Sequence, residues 1–220
     1  MFFSHNFMEI KFKKYWRKTS LKRSDDAECL LNHINQFKPK NFLEIGVFHG
    51  VTSRNICDLL HSIHGNDFSF TGIDLFLNEK EVSKDEYIPK TQFSNPLKQF
   101  YYKYIVRLDP YSIKSVAKLL KKYKKNINII KGDSNTVLKE INLDKFDYVF
   151  LDGGHKYETV FNDLKNLKKI IENNGVILCD DYDLTYAPGV KKAIDEYVML
   201  NDFNLKILNS RFAEITKNST

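Results

Sequence analysis

Hydrophobic and polar residues along the chain follow two alternating repeats, one typical of buried strands and one typical of amphipathic helices. Short apolar runs predict five strands, at 41–47, 68–76, 127–134, 146–155 and 175–182. Apolar positions three and four residues apart predict helices in the intervals, at 24–38, 51–63, 111–126, 157–171 and 189–200. Two further short runs predict a closing antiparallel hairpin, at 206–209 and 212–217.

The order of these elements predicts an α/β fold. Strands that alternate with helices form a mostly parallel sheet covered by helices on both faces. The sequence therefore predicts a Rossmann-like, doubly wound sheet of about seven strands, whose last two form the antiparallel hairpin. Such sheets bind ligands at the carboxyl ends of their strands, so the polar residues that directly follow each strand are the candidates for chemistry.

Two segments depart from this pattern. Residues 1–23 form a basic, aromatic N-terminal arm, and the predicted domain at 24–220 holds a polar, proline-interrupted insert at 77–110. An insert of this length is typical of a lid or a binding loop. Its candidate lid residues are Tyr87, Tyr101, Tyr102 and Tyr104.

The formal net charge of +6 lies entirely within the arm. Residues 1–23 contain seven Lys or Arg residues and one acid, Glu9, whereas the rest of the chain has 27 basic and 27 acidic residues. A basic excess confined to one segment is not the footprint of a nucleic-acid groove. A solvated or partner-docking arm is therefore favoured. Contact with a membrane surface or nucleic acid stays open, because aromatic residues interleave with the lysines.

Cysteine usage and hydropathy indicate a soluble protein of the cytoplasm. The three cysteines have neither paired nor metal-ligand spacing, which fits a reducing compartment. No apolar run approaches the roughly 20 residues of a membrane span, and the first residues lack the apolar region of a secretory signal. We therefore expect a cytoplasmic protein, and the sequence leaves open whether it forms a homo-oligomer.

The first predicted strand runs into a glycine-rich turn suited to a nucleotide-type ligand. Gly46 and Gly50 let the backbone turn sharply and approach a ligand closely. The helix that follows offers free N–H groups, and Thr52 adds a hydroxyl. Glu44 precedes the turn, where it either fixes the loop or engages a cationic ligand. The turn departs from the G-x-G-x-x-G fingerprint, which argues against NAD.

Two further strand ends support a nucleotide-type site. Asp74 ends the second strand, where a carboxylate can accept hydrogen bonds from both hydroxyls of a ribose. Asp133 and Ser134 end the third strand, where a polar side chain can contact an adenine edge. Each of these residues also has a structural explanation, since an acid at a strand end is often a helix cap.

Five strand-end segments resemble successive motifs of class I S-adenosylmethionine-dependent methyltransferases. These segments are LEIGVFHG, GIDLF, IIKGDS, FDYVFLDGGH and GVILCDDY. They are most similar to the small-molecule O-methyltransferases of the macrocin O-methyltransferase type, which act on sugar hydroxyls. The resemblance spans roughly residues 40–198 and leaves out the arm and the insert.

The resemblance implies a cofactor, a reaction and a set of binding residues. The cofactor is S-adenosylmethionine, and the methyl group goes to a hydroxyl of a small acceptor such as a sugar or glycoside. The residues implied to hold the cofactor are Glu44, Gly46, Gly50, Asp74, and Asp133 or Ser134. Phe48 stands where many class I enzymes have glycine. Catechol-type O-methyltransferases also lack that glycine, which favours small-molecule O-methylation.

Three acids follow the fourth and fifth predicted strands. Asp152, Asp180 and Asp181 are expected to crowd one edge of the sheet, where like charges repel unless they are protonated or bridged by a cation. Carboxylate oxygens without His or Cys partners suit Mg²⁺ or a similar divalent cation. We interpret the three acids as metal ligands. The alternative is that Asp152 lies beside the cofactor while Asp180 or Asp181 caps the following turn.

The candidate catalytic residues are Asp152 and His155. A metal would lower the pKa of the acceptor hydroxyl, and His155 could then take its proton at neutral pH. The resembling metal-dependent O-methyltransferases place their base at the same offset from the strand. His49, between the glycines of the first loop, is interpreted as exposed or loop-stabilising. Candidates for the acceptor pocket are Tyr182, Asp183 and Tyr186.

Two other functions remain open at this stage. One is a metal-independent methyltransferase that acts on another acceptor, including RNA. The neutral charge of residues 24–220 and the lack of an Asn/Asp-Pro-Pro-aromatic motif argue against it. The other is a non-catalytic module that binds an adenosyl nucleotide, since a fold does not guarantee activity.

Overall fold

The computed structural model describes residues 11–77, 93 and 95–218. The strands are β1 Asn41–Ile45, β2 Ser69–Asp74, β3 Ile127–Lys131, β4 Tyr148–Leu151, β5 Val176–Cys179, β6 Phe203–Leu208 and β7 Phe212–Lys217. They form one seven-stranded sheet in the order β3-β2-β1-β4-β5-β7-β6. Neighbours among β1 to β5 are parallel, and β7 runs antiparallel to both β5 and β6. The predicted Rossmann-like fold with its closing hairpin is confirmed.

The helices follow the predicted order, with additions. They are α1 Ser24–Phe37, α2 Val51–His64, α3 Pro96–Phe100, α4 Ile113–Leu119, α5 Ser134–Glu140, α6 Tyr157–Glu172 and α7 Pro188–Asn201. A π-helix covers Tyr101–Val106, and a 3-10 turn covers Lys121–Tyr123. The sequence did not predict α3, α5 or the π-helix, because five to seven residues are too few to show a helical repeat. Within the described residues, no helix combines the length and the apolar character that a membrane crossing needs.

Two helix ends differ from what the sequence predicts, which is a cap formed by Ser24, Asp25 and Asp26 for the first helix and an end near residue 126 for the third. The start of α1 has Arg23 at the N-cap position and no side-chain capping bond, because the Ser24 hydroxyl donates to Asp25 instead. The helix predicted over 111–126 stops at Leu119. There the chain turns so that the Tyr123 ring is buried against Phe68, and this packing outweighs the helical preference of the lysine-rich sequence.

Alternate residues of the central strands face two separate cores. The core on the side of α1, α2 and α4 contains Phe42, Tyr148 and Phe150. The core on the side of α5, α6 and α7 contains Leu43, Val149 and Leu151. Because helices cover both faces, every position of β4 and β5 is buried, which explains their continuous apolar runs.

Strand register brings the functional candidates to one edge of the sheet. Ile45 of β1 pairs with Leu151 of β4, and Leu151 pairs with Cys179 of β5. The residues that follow these strands therefore leave the sheet side by side. Strand β7 arrives at the same edge from the opposite direction, since Ala213 pairs with Cys179. This pairing places the residues just before β7 next to those just after β5.

The described part of the N-terminal arm packs against the domain. Leu21 is fully buried, and Arg17 and Thr19 are nearly so. The expectation of a solvated segment does not hold for these residues. Residues 1–10 and most of the insert, 78–92 with 94, lie outside the described residues, and so does the candidate lid residue Tyr87.

Candidate functional site at the carboxyl edge of the sheet

The loop between β1 and α2 passes very close to the loop after β4. Gly46 has a φ of +94°, and a Cβ atom there would lie 1.8 Å from the carbonyl oxygen of Asp152. Gly50 also has a positive φ, +72°, at the N-cap of α2. Only glycine fits at position 46, because any side chain would collide with backbone. Thr52 lies nearly buried in the first turn of α2.

Glu44 is a charged residue in the centre of the sheet. It is fully buried, one carboxylate oxygen accepts a hydrogen bond from the Ser53 hydroxyl, and Oε1 has no partner among the described residues. Burial raises the pKa of Glu44 to about 8, and the bond from Ser53 opposes this rise. An unpaired buried oxygen is costly, so this atom is a ready acceptor for a donor group on a ligand.

Asp74 organises the neighbouring loops. Its Oδ2 accepts from the backbone N–H of Phe48 at 2.7 Å. Its Oδ1 accepts from the N–H of Phe76 at 2.9 Å and from the Tyr111 hydroxyl at 2.8 Å. Burial raises the pKa of Asp74, and these donors oppose the rise. The carboxylate thus ties the glycine loop to the end of β2.

The end of β3 lies beside the end of β2, since Gly132 N–H donates to the Asp74 carbonyl at 3.0 Å. Asp133 occupies the N-cap position of α5 and is exposed, and its Oδ2 lies 3.3 Å from the Thr136 hydroxyl. Ser134 is half-buried, and its side chain lies next to the carboxyl group of Asp163 on α6. Asp163 is fully buried, and burial raises its pKa to about 7 while a hydrogen bond from Ser134 opposes the rise. Sequence reasoning missed Asp163, although an acid inside the apolar stripe of α6 was visible.

The three predicted metal-ligand acids do come together. One oxygen each from Asp152, Asp180 and Asp181 lies within 4.8 Å of the other two. Burial raises the pKa of Asp152 well above its usual range, and the charges of Asp180 and Asp181 raise it further. This crowding of like charges is what the sequence predicted for the edge.

A cation from the protein already lies in this cluster. The Arg211 guanidinium binds both oxygens of Asp180, at 2.6 and 2.7 Å, and approaches Asp181 at 3.3 Å and Asp26 at 3.6 Å. Sequence reasoning missed Arg211, because only the pairing of β7 with β5 brings it to the edge. Part of the negative charge that suggested a metal is therefore balanced by an arginine.

His155 lies beside the same cluster and is partly exposed. Its Nε2 is 3.0 Å from Asp181 Oδ2, and the Tyr186 hydroxyl donates to Asp181 Oδ1 at 2.7 Å. The hydrogen bond to Asp181 raises the pKa of His155 above its ordinary value. Burial alone would raise the pKa of Asp181, but the bonds from His155 and Tyr186 lower it. A histidine oriented by a carboxylate is suited to proton transfer.

The N-terminal arm also contributes to this edge, which the sequence did not predict. The Ser20 hydroxyl donates to Asp152 Oδ2 at 3.1 Å. Arg17 donates to the carbonyl oxygens of His49 at 3.0 Å and Ser115 at 2.9 Å. His49 is fully buried, so the interpretation of an exposed histidine is wrong and its loop-stabilising alternative remains. Burial, together with Arg17 and Lys18, lowers the pKa of His49 to about 3, so its ring is neutral.

Comparison with solved structures shows shared folds at low identity. The chain is similar to the SAH-bound methyltransferase PaMTH1 of Podospora anserina, with 16% identity, a TM-score of 0.59, and coverage of 93% of this chain and 81% of the other. It is also similar to the O-methyltransferase NovP, with 19% identity, a TM-score of 0.61, and coverage of 88% and 78%. CalS11, a TDP-rhamnose 3'-O-methyltransferase of calicheamicin biosynthesis, shows 16% identity, a TM-score of 0.60, and coverage of 90% and 82%.

Sequence comparison adds one curated relative and one family. An uncharacterized protein of Acanthamoeba polyphaga mimivirus, R132, is 29% identical over 109 residues, which are 44% of this chain and 49% of the relative. The match thus spans about half of that relative's length. Residues 43–182 match the family model described as a methyltransferase domain, which confirms the resemblance drawn from the strand-end motifs. The chain belongs to the methyltransferase domain family.

Proposed function

We propose that the protein transfers the methyl group of S-adenosylmethionine to a hydroxyl of a small acceptor. One observation carries the proposal: the loop after β1 meets the backbone of Asp152 at Gly46, beside the buried, unpaired Oε1 of Glu44. This arrangement holds the two loops together with no room for a side chain at position 46, and it leaves an acceptor atom that needs a donor.

The described residues fit such a cofactor. Glu44 Oε1 would accept from a ligand N–H, and the start of α2 with Thr52 would offer donors to a carboxylate. Asp74 is proposed to hold the ribose, and to accept from both of its hydroxyls the carboxylate would have to exchange donors that it now has, such as the Tyr111 hydroxyl. The residues proposed to hold the rest of the cofactor are Gly46, Gly50, Asp133, Ser134 and Asp152.

His155 is proposed to remove the proton of the acceptor hydroxyl. When bound, S-adenosylmethionine supplies a methyl group on a positively charged sulfur, so the chain mainly has to orient the acceptor oxygen in line with it. Asp181 accepts from Nε2–H of His155, which leaves Nδ1 as the basic atom. The same contact stabilises the imidazolium that forms after proton transfer.

A divalent cation, Mg²⁺ or a similar ion, is proposed to assist. Asp152, Asp180 and Asp181 would hold it, and their hard oxygen atoms suit such an ion. When bound, the ion would lower the pKa of the acceptor hydroxyl. It would have to share Asp180 with Arg211. Calorimetric titration with Mg²⁺ in the presence of cofactor tests this, with the triple Asp→Asn variant as control, and an absence of saturable binding would remove the metal.

The acceptor is proposed to be a sugar or a glycoside. The similarity of the strand-end motifs to enzymes that act on sugar hydroxyls supports this choice. The fold shared with CalS11, a TDP-rhamnose 3'-O-methyltransferase, supports it as well. Tyr186 lies beside the acidic cluster, because its hydroxyl donates to Asp181. Its ring lies 5.7 Å from that of His155 and would border such an acceptor.

Two experiments test the proposal, first ligand binding and then turnover. S-adenosylhomocysteine should raise the melting temperature in a thermal-shift screen, and NAD and ATP should not. With a panel of sugars as acceptors, release of S-adenosylhomocysteine should fall strongly in His155→Ala at every pH from about 6 to 9. A variant that keeps near-full turnover across that range would exclude the base role. Lack of any response to S-adenosylhomocysteine would exclude the whole proposal.

A further inference from the structure

Large apolar side chains are exposed together on one side of the molecule. Among the described residues, ten large apolar side chains are exposed, and half of them belong to the arm or to residues 95–107. These five are Trp16, Leu97, Phe100, Tyr104 and Ile105, and each is more than half exposed. Single exposed apolar residues are ordinary, but a group of them in one place indicates an interaction site.

Helical spacing puts three of these side chains on one stripe. The chain is helical over 96–106, through α3 and the π-helix. Leu97, Phe100 and Tyr104 are three and four positions apart, so they share a side of the helix. The rings of Phe100 and Tyr104 lie 5.0 Å apart. Tyr102 lies on the opposite side, where it is buried. The helical segment is therefore amphipathic, and its apolar stripe faces solvent.

The arm extends this stripe with the single tryptophan of the chain. The Trp16 ring meets the Tyr101 ring edge to face, with ring centres 5.4 Å apart. The Lys98 ammonium lies 5.9 Å from the centre of the Trp16 ring. Because Lys98 is the neighbour of Leu97, the arm and the stripe form one surface. We call this surface the aromatic face, and it consists of Trp16, Leu97, Phe100, Tyr104 and Ile105.

Cations lie at the aromatic face. The Lys103 ammonium is 5.2 Å from the centre of the Tyr104 ring, and Arg107 Nε donates to the Tyr104 carbonyl at 3.1 Å. Residues 95–107 contain three basic residues and no acid, and residues 11–23 contain seven basic residues and no acid. A surface that combines positive charge with exposed aromatic and aliphatic side chains is complementary to a layer of anionic lipids.

We propose that the aromatic face docks the protein on an anionic membrane surface. Its apolar side chains enter the headgroup region, and its basic side chains contact the lipid phosphates. Trp and Tyr are the side chains enriched at membrane–water interfaces. The aliphatic side chains of Leu97 and Ile105 favour lipid over nucleic acid, because they have no ring that could stack on a base.

The candidate site lies near the aromatic face. Ser20, which donates to Asp152, follows Trp16 by four residues, and four residues of chain span at most about 14 Å. Docking therefore holds the acidic edge of the sheet close to the bilayer. The inference concerns a separate surface, so it holds or fails independently of the proposed function.

Co-sedimentation of the full chain with lipid vesicles tests the inference. Wild type should bind vesicles made of equal parts phosphatidylcholine and phosphatidylglycerol, and more weakly as salt rises. It should bind vesicles of phosphatidylcholine alone at least about tenfold more weakly. On binding, the fluorescence of Trp16 should shift to shorter wavelength, because its ring leaves water. The signal is specific, since the chain has no other tryptophan.

Two double variants remove the two properties of the surface separately. Leu97→Ser/Phe100→Ser removes apolar side chains, and Lys98→Glu/Lys103→Glu reverses two charges. Each should weaken binding to the anionic vesicles about tenfold or more. Leu97, Phe100 and Lys103 are exposed and Lys98 is half-exposed, so both variants should keep the wild-type melting temperature.

Matched controls lie on α6 and α7, which cover the other face of the sheet. Met199→Ser/Leu200→Ser removes two apolar side chains that are also more than half exposed. Lys165→Glu/Lys168→Glu makes the same change in net charge at exposed positions. Both controls should bind the anionic vesicles as wild type does.

Four results would overturn the inference. Wild type that stays in the supernatant with anionic vesicles, or an unshifted Trp16 emission, would exclude docking. Binding by Leu97→Ser/Phe100→Ser as tight as that of wild type would show that the aromatic face is not the contact. A short single-stranded RNA that displaces the vesicles and needs only the lysines would assign the face to nucleic acid. A dimer that Leu97→Ser/Phe100→Ser dissociates, without vesicle binding, would assign it to a second copy of the chain.

Discussion

Replacing Arg211 by methionine should destabilise the protein strongly. The guanidinium makes two short bonds to Asp180, whose side chain is completely buried, and also contacts Asp181 and Asp26. Methionine fills a similar volume but leaves the acids without their cation. Removing one partner of a buried ion pair costs about 3–5 kcal/mol. For a domain of this size, that loss corresponds to a fall in melting temperature of about 6–20 °C.

The loss should depend on pH with a defined sign. Burial raises the folded-state pKa of Asp180, and Arg211 opposes the rise, so the variant has a still higher pKa. In the unfolded chain, Asp titrates near about 3.9. A carboxyl with a raised folded-state pKa opposes folding above its unfolded value, increasingly until the pH passes the folded value. The difference between wild type and Arg211→Met should therefore be largest near pH 7 to 8 and shrink toward pH 4.

Urea unfolding followed by circular dichroism measures this difference at each pH. Arg211→Lys keeps the charge without the two-pronged geometry and should lose less stability. Lys206→Met removes an exposed charge from the same hairpin and should change stability by no more than about 0.5 kcal/mol. A loss for Arg211→Met below about 1 kcal/mol, or one independent of pH, would refute the role of Arg211 as the counter-ion of the cluster.

Three further substitutions test other parts of the structure. Gly46→Ala should abolish the thermal shift by S-adenosylhomocysteine, because its Cβ would meet backbone at 1.8 Å, whereas Gly65→Ala, with open space around it, should retain the shift. Ser53→Ala should cost about 1–3 kcal/mol in urea unfolding, because buried Glu44 loses its hydrogen bond, and an unchanged midpoint would contradict this account. His33→Ala should lower the free energy of unfolding by at least as much, because it leaves the buried Tyr148 hydroxyl and Glu214 without their shared hydrogen-bond partner. His33→Gln should recover part of the loss.

The parts of the fold that the sequence predicted correctly have local determinants. Apolar runs specify β1 to β5, and helical spacing specifies α6, because each pattern lies within one element. The grouping of Asp152, Asp180 and Asp181 followed from one additional rule, that parallel strands end at the same edge.

The parts that were missed depend on contacts between distant residues. Arg211 meets Asp180 across 31 residues, and Ser20 meets Asp152 across 132 residues. No local repeat encodes such pairs, so the arm and the hairpin looked independent of the site. The early end of α4 has the same cause, because packing of Tyr123 against Phe68 overrides helical propensity.

The position of β7 between β5 and β6 has a consequence for biosynthesis. A nascent chain that has emerged only as far as α7 has Asp180 without its counter-ion and β5 without its last neighbour. Ribosome-bound intermediates of this kind should therefore remain open to proteases until residues 203–217 have been translated. Completion of the acidic cluster and completion of the sheet are then a single late event.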